Sequence, residues 1–193
     1  MKKPVNETRQ HILDVTRALM TQKGYTAVGL AEVVAAAGVP KGSFYYYFQS
    51  KDDFGQALLG AYFSDYLSTV DGLLSTQAAG ADRLLAYLQY WSRTQGTDSL
   101  DDKCLVVKLG PEVCDLSEDM RAVLTSGTDA IMGKIARCIS EGQADGSIGA
   151  RQEAKDLAQS LYGLWLGASL LAKLHQSTGP FDTALATSRL LMA

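Results

Sequence analysis

Along almost the whole 193-residue chain, apolar residues recur three and four positions apart, and strand-like alternation is short and rare. That spacing matches the 3.6-residue turn of an α-helix, so each segment has one apolar stripe to bury. The expectation is an all-α protein of about nine helices, divided by its glycines, prolines and polar loops. A first helix is expected over residues 8–23, with Ile12, Val15, Leu19 and Met20 on one face and Gly24 ending it. A short second helix is expected over residues 30–37, closed by Gly38, and a third from Lys41, just after Pro40. The run "SKDD" puts Ser50 at the cap of a fourth helix, with Asp53 three residues on. That helix is expected to reach about residue 75.

Further along, a helix is expected over residues 81–93, then a polar loop, "TQGTDSLDDK". "CLVVKLGPEVCDL" reads as one or two helical turns interrupted by Gly110 and Pro111. Asp115, with Glu118 three residues on, is expected to cap a long helix ending near Gly142. After the loop "ADGSIGARQ", two helices are expected over residues 151–175 and 181–192. No repeat or low-complexity tract interrupts this pattern.

The first three helices raise a specific question. "GSFYYYFQS" places Phe44, Tyr45, Tyr46, Tyr47 and Phe48 in succession, more aromatic surface than one short helix can bury. On a helical period Phe44 and Phe48 fall together and face the core, Ser43, Tyr46 and Tyr47 fall away, and Tyr45 lies between. Two short helices joined by "GVP" and backed by a first helix form a helix-turn-helix, whose second helix enters the major groove of DNA. Lys41 and Gly42 stand at the start of that helix, where backbone N–H groups favour phosphate, and Lys51 adds a second cation. Ser43 and Tyr45 are the candidate base-edge readers. The bland alternative is that the aromatics only join three small helices.

Charge agrees with a polyanion-binding head. Residues 1–51 carry seven Lys or Arg (Lys2, Lys3, Arg9, Arg17, Lys23, Lys41 and Lys51) against three acids, a net +4, whereas the rest of the chain is net −7. The division of roles expected is a helix-turn-helix DNA-binding domain over residues 1–52 and an effector-sensing, dimerising helical bundle over residues 53–193.

The stretch "GYTAVGLAEVVAAAGVPKGSFYYYFQSKDDF" resembles the N-terminal domain of the TetR family of bacterial repressors, the likeness covering residues 8–54. By position it implicates Lys41, Gly42, Ser43 and Tyr45 at base edges or the adjacent backbone, and Thr26, Tyr46, Tyr47 and Lys51 at phosphates of double-stranded operator DNA. The chain departs from the family at Gly29 and Pro40, where Ser or Thr is usual, which removes a side-chain cap from the second helix. The family's last two helices form a homodimer interface. The helix "LYGLWLGASLLAKL" accordingly offers Leu161, Gly163, Trp165, Gly167 and Ala168 as interface residues, although the same pattern suits an internal core helix. A dimer suits DNA, since two heads about 34 Å apart meet successive turns of the duplex.

Three cysteines, Cys104, Cys114 and Cys138, form an odd set without CxxC spacing, and His11 and His175 are far apart. Disulfide frameworks, metal sites and cofactors are not expected. Cys104 stands beside Lys103, one turn before Lys108, at a helix start, all of which favour thiolate, while Asp101 and Asp102 oppose it. Cys138 shares a face with Ile131 and Ile135 and reads as inert core. Cys114 stands between Val113 and Asp115 with no clear role.

"CLVVKLGPEVCDLSEDMR" and "LWLGASLLAK" resemble the NemR-type branch of the family, repressors that sense electrophiles and reactive chlorine or carbonyl species. The likeness implies that Cys104 is the sensor and that Lys173 approaches it. A second reading keeps the repressor but releases it by an apolar or aromatic effector bound among Tyr62, Phe63, Tyr66, Tyr87, Tyr90, Trp91 and Trp165. An enzyme is not expected: no Ser-His-Asp set, phosphate loop or paired carboxylates stand out. A helical adaptor that never touches DNA is a further alternative. No apolar span long enough to cross a membrane and no signal peptide are seen, so a cytoplasmic location is expected.

Overall fold

A computed structural model describes residues 5–96 and 103–193. The sequence expectations on Lys2, Lys3, Asp101, Asp102 and most of the polar loop before Lys103 lie outside the described residues. Nine α-helices and no strands occur among the described residues: α1 Val5–Lys23, α2 Leu30–Ala37, α3 Lys41–Tyr47, α4 Lys51–Leu74, α5 Gly80–Gly96, α6 Leu105–Leu116, α7 Glu118–Ala144, α8 Ala154–His175 and α9 Gly179–Met192. They gather into two compact units. The first is Met1–Ser64 with Ser99–Thr125, and the second is Asp65–Asp98 with Ser126–Ala193.

In the first unit, α1 ends at Gly24, whose φ of 94° lies in the left-handed region and whose N–H donates to the Met20 carbonyl at 2.9 Å. α2 ends the same way. Gly38 has a φ of 63°, its N–H donates to Ala35, and the Val39 N–H reaches back to Val34. This pair of bonds satisfies carbonyls that a helix end leaves open. His11 on α1 adds a third, its Nε2 lying 3.0 Å from the Ala37 carbonyl. Gly29 and Pro40, the helix-start residues of α2 and α3, make no side-chain cap. At α4 the Ser50 hydroxyl accepts the Asp53 N–H at 3.0 Å, while the Asp53 carboxylate accepts the N–H of Gln49.

Two expectations about the middle of the chain are corrected. Gly110 and Pro111 do not interrupt a helix, because α6 runs unbroken from Leu105 to Leu116 through both. Leu105, Leu109 and Val113 recur every four residues and are all buried, and this packing outweighs the lost Pro111 N–H. Asp115 does not cap α7, since it lies inside α6. Ser117 closes α6 by donating its N–H to Val113, and its hydroxyl accepts the Met120 N–H at 3.2 Å to open α7.

In the second unit α8 and α9 pack along each other, with α5 against α9. Their centre is aromatic. Trp165 contacts Trp91 and stacks on Phe181, and its Nε1–H donates to Ser188 Oγ at 3.0 Å. Trp91 donates to Ser169 Oγ at 2.9 Å, so both buried indoles are satisfied.

The five-aromatic run divides sharply. Phe44 is wholly buried with Phe48 and Phe54, ring centroids 5.1–5.5 Å apart, while Tyr46 is 71% exposed. Phe44→Ala should therefore lower stability by about 3–5 kcal/mol. Tyr46→Ala should change it by no more than about 0.5 kcal/mol. Chemical denaturation followed by circular dichroism checks the contrast.

Candidate nucleic-acid interface and thiol site

α3 is seven residues long, held by Phe44 inside it and Phe48 just beyond it. This anchoring leaves Lys41, Gly42, Tyr45 and Tyr46 exposed, with Ser43 and Tyr47 half-buried. Tyr45, expected to lie between faces, is 51% exposed, with its ring edge-on to Phe44. Tyr46 and Tyr47 stand edge to face, centroids 4.9 Å apart. Thr26 is exposed at the corner between α1 and α2. Lys51 is half-buried: its Nζ donates to the Tyr25 carbonyl at 2.9 Å and lies 4.5 Å from the Tyr25 ring centroid. Arg9, which the motif did not single out, places its guanidinium 5.2 Å from the Phe48 ring centroid. The eight residues expected at DNA thus belong to one unit and to adjoining helices and turns.

The Tyr25–Thr26 corner is held by a residue 86 and 87 positions away. Glu112 on α6 accepts the Tyr25 N–H at 3.0 Å and the Thr26 N–H at 2.6 Å. Burial works to raise the Glu112 pKa, but the bonds from Thr26 and Tyr25 and the charge of Lys51 outweigh it, so the carboxyl is held below its ordinary value. No motif announces this contact, because separation along the chain hides it.

Cys104 occupies the helix-start position of α6 and is 8% exposed. Tyr62 donates its hydroxyl to Sγ at 3.6 Å, and the Arg17 guanidinium lies 5.1 Å from the Tyr62 ring centroid. Burial pushes the thiol pKa up, and the Val107 N–H, the Tyr62 hydroxyl and the Val106 N–H oppose this without cancelling it. Burial thus works against the helix start named in the sequence, and Lys108 donates to the Gln22 carbonyl at 3.3 Å. Cys138 is buried and its thiol is pushed up to about 11, chiefly by burial, in keeping with inert core. Cys114 lies partly exposed inside α6.

Within α8, Leu161, Trp165 and Ala168 point into the second unit's own core, while Gly163 and Gly167 are exposed. For the first three, the internal-helix reading is the one the burial matches. The exposed stripe continues from the two glycines through Leu170, Leu171 and Leu174, and α9 adds Leu190. Lys173 lies in the last turn of α8. Of the aromatics proposed to line an effector pocket, Tyr62 and Phe63 fall in the first unit and the rest in the second. In the second, Tyr87, Trp91 and Trp165 meet in series ring to ring.

The raised thiol sets a testable rate. Alkylation of Cys104 by iodoacetamide should be slower than that of free cysteine at pH 7.5 and should still be rising at pH 9. Tyr62→Phe removes a donor that favours thiolate, so it should slow alkylation further. Mass spectrometry of the Cys104 peptide over a pH series measures both.

Comparison with known proteins agrees with this geometry. A family model described as "Bacterial regulatory proteins, tetR family" matches residues 12–58, and one described as "Tetracyclin repressor-like, C-terminal domain" matches residues 80–188. The HTH-type transcriptional repressor NemR of Escherichia coli K12 is 39% identical over 189 residues, covering 97% of this chain and 95% of the relative. The transcriptional regulator AcuR of Cereibacter sphaeroides is 35% identical over 85% of this chain and 75% of its own. The crystal structure of E. coli NemR in its reduced form superposes with a TM-score of 0.92 over 97% of each chain. No helix among the described residues is long and apolar enough to cross a membrane. With the helix-turn-helix geometry and matches over both parts of its length, the chain belongs to the TetR family of DNA-binding transcriptional repressors and is not an enzyme.

Proposed function

We propose that this repressor acts in the cytoplasm as a homodimer and leaves its operator when an electrophile or oxidant modifies Cys104. Residues 1–52 serve as the reading head and residues 53–193 as the sensing and dimerising body. The observation that carries the thiol reading is the position of Cys104: buried, at the first turn of α6, in the same unit as the helix-turn-helix. A reagent that reaches the sulfur adds bulk where there is little room, and α6 must yield. With a maleimide the step is an addition. Sulfur bonds to one alkene carbon, the other takes a proton, and nothing leaves. The description of a relative's crystal structure as a reduced form is in keeping with redox sensing. The part assigned to Lys173 rests on the resemblance alone.

In the head, Lys41 and Lys51 meet phosphates with Thr26, Tyr46 and Tyr47, while Gly42, Ser43 and Tyr45 approach base edges. Dimerisation uses the exposed face of α8, Gly163 and Gly167 with Leu170, Leu171 and Leu174, since a protomer that left these leucines in water would forgo their burial.

A gel shift on the DNA directly upstream of the protein's own gene tests the sensor. N-ethylmaleimide should release wild-type protein and leave the Cys104→Ser variant bound. Release that persists unchanged in the variant refutes the thiol reading. Lys41→Ala with Tyr45→Ala should abolish the shift without modification.

Sedimentation tests the interface. Leu171→Glu with Leu174→Glu should give a monomer at concentrations where the wild type is a dimer. A dimer that survives both charges would move the interface elsewhere.

A further inference from the structure

We propose that Glu112 is a positioning residue for operator binding: from α6 it holds the Tyr25–Thr26 corner, and so the approach to α2, in the orientation the head presents to the duplex. This rests on the reading of Thr26 and Lys51 as phosphate contacts.

The geometry is that of a fork. Tyr25 and Thr26 lie between α1 and α2, so their N–H groups have no place in either helical ladder. Each is taken by a different oxygen of one carboxylate, Tyr25 by Oε2 and Thr26 by Oε1. Bidentate capture fixes orientation as well as distance.

The corner in turn fixes Lys51. The Tyr25 hydroxyl donates to the Lys51 carbonyl at 2.7 Å, and the Lys51 ammonium donates back to the Tyr25 carbonyl at 2.9 Å. A tilt of the corner therefore displaces two proposed phosphate contacts together, Thr26 directly and Lys51 through Tyr25. One turn earlier on α6, Lys108 donates to the Gln22 carbonyl in the last turn of α1. α6 thus offers a cation to the carbonyl end of α1 and an anion to the amides ahead of α2, the sign each end favours. Were the carboxylate without a part in holding the corner, its effect on binding would be that of one negative charge alone, and that difference makes the proposal testable.

The probe is a 30-base-pair duplex selected from a random pool by the full-length wild-type protein, with binding followed by fluorescence anisotropy over a salt series. Glu112→Gln keeps one acceptor and turns an N–H against an N–H. It should weaken binding by about tenfold, the loss of one or two charge-assisted bonds. The salt slope should stay unchanged, because no phosphate contact is removed. Amide exchange at Tyr25 and Thr26 should quicken while α8 amides exchange as before. Glu112→Asp keeps the charge but falls one methylene short, so it should weaken binding in the same way; it also serves if the Gln variant is too unstable to assay.

Wild-type affinity in both variants overturns the proposal. So does tighter binding with a steeper salt slope in Glu112→Gln, which would mark Glu112 as a mere repelling acid. So does unchanged exchange at the two amides. Lys41→Ala separates this failure from failure of the head reading: if it weakens binding while both Glu112 variants do not, only the joint is refuted.

Discussion

The first unit depends on α6 remaining one helix through Gly110 and Pro111. A mid-helix proline removes a ladder bond and crowds the preceding turn, at about 3 kcal/mol or more. Against that stand Leu105, Leu109 and Val113, spaced four apart and all buried. Each such side chain contributes about 1.5–3 kcal/mol when taken out of water, so burial wins. The consequence is a single rod with Cys104 at its first turn and Glu112 two turns further on. Broken at Gly110, the chain would separate the thiol from the carboxylate that grips the head.

The head shows the same competition decided by burial at the scale of one side chain. Five aromatics in a row cannot share one face, so the chain divides them by helical phase. Phe44 and Phe48 join Phe54 inside, while the tyrosines, each carrying a hydroxyl that water or DNA can satisfy, stay at or near the surface. The anchoring rings and the presenting rings are neighbours along one short helix and the residue that follows it, which ties the exposed surface to the core that supports it.

Electrostatics at two points along α6 run opposite ways. At Cys104, burial outweighs the N–H and hydroxyl donors and pushes the thiol pKa up. At Glu112, the donors outweigh burial and the carboxylate stays ionised. At Glu112 the partners are two backbone N–H groups of the corner and the nearby Lys51 ammonium, whereas the Cys104 sulfur accepts from the Tyr62 hydroxyl, a weaker bond. A thiol whose pKa is pushed up reacts more slowly with electrophiles than a free one at the same pH.

Local pattern was enough for the all-α class, for α2 over Leu30–Ala37, for the left-handed glycine that closes it, and for which of Phe44 to Phe48 face inward. These follow from helical period and from the conformational freedom of glycine, which act within a few residues. Gly110–Pro111 misled because local propensity reads as a break where distant packing supplies the support, and Asp115 misled because Ser117, two residues on, is the better-placed cap. Leu161, Trp165 and Ala168 carry the apolar, small-residue spacing that suits a partner chain, but only the placement of Trp91, Phe181 and Ser188 around Trp165 turns them inward. The state of Cys104 and the grip of Glu112 on Tyr25 and Thr26 were likewise decided by tertiary structure alone. Desolvation depends on what surrounds a group in space, and a hydrogen bond across 86 residues leaves no trace in the order of the chain.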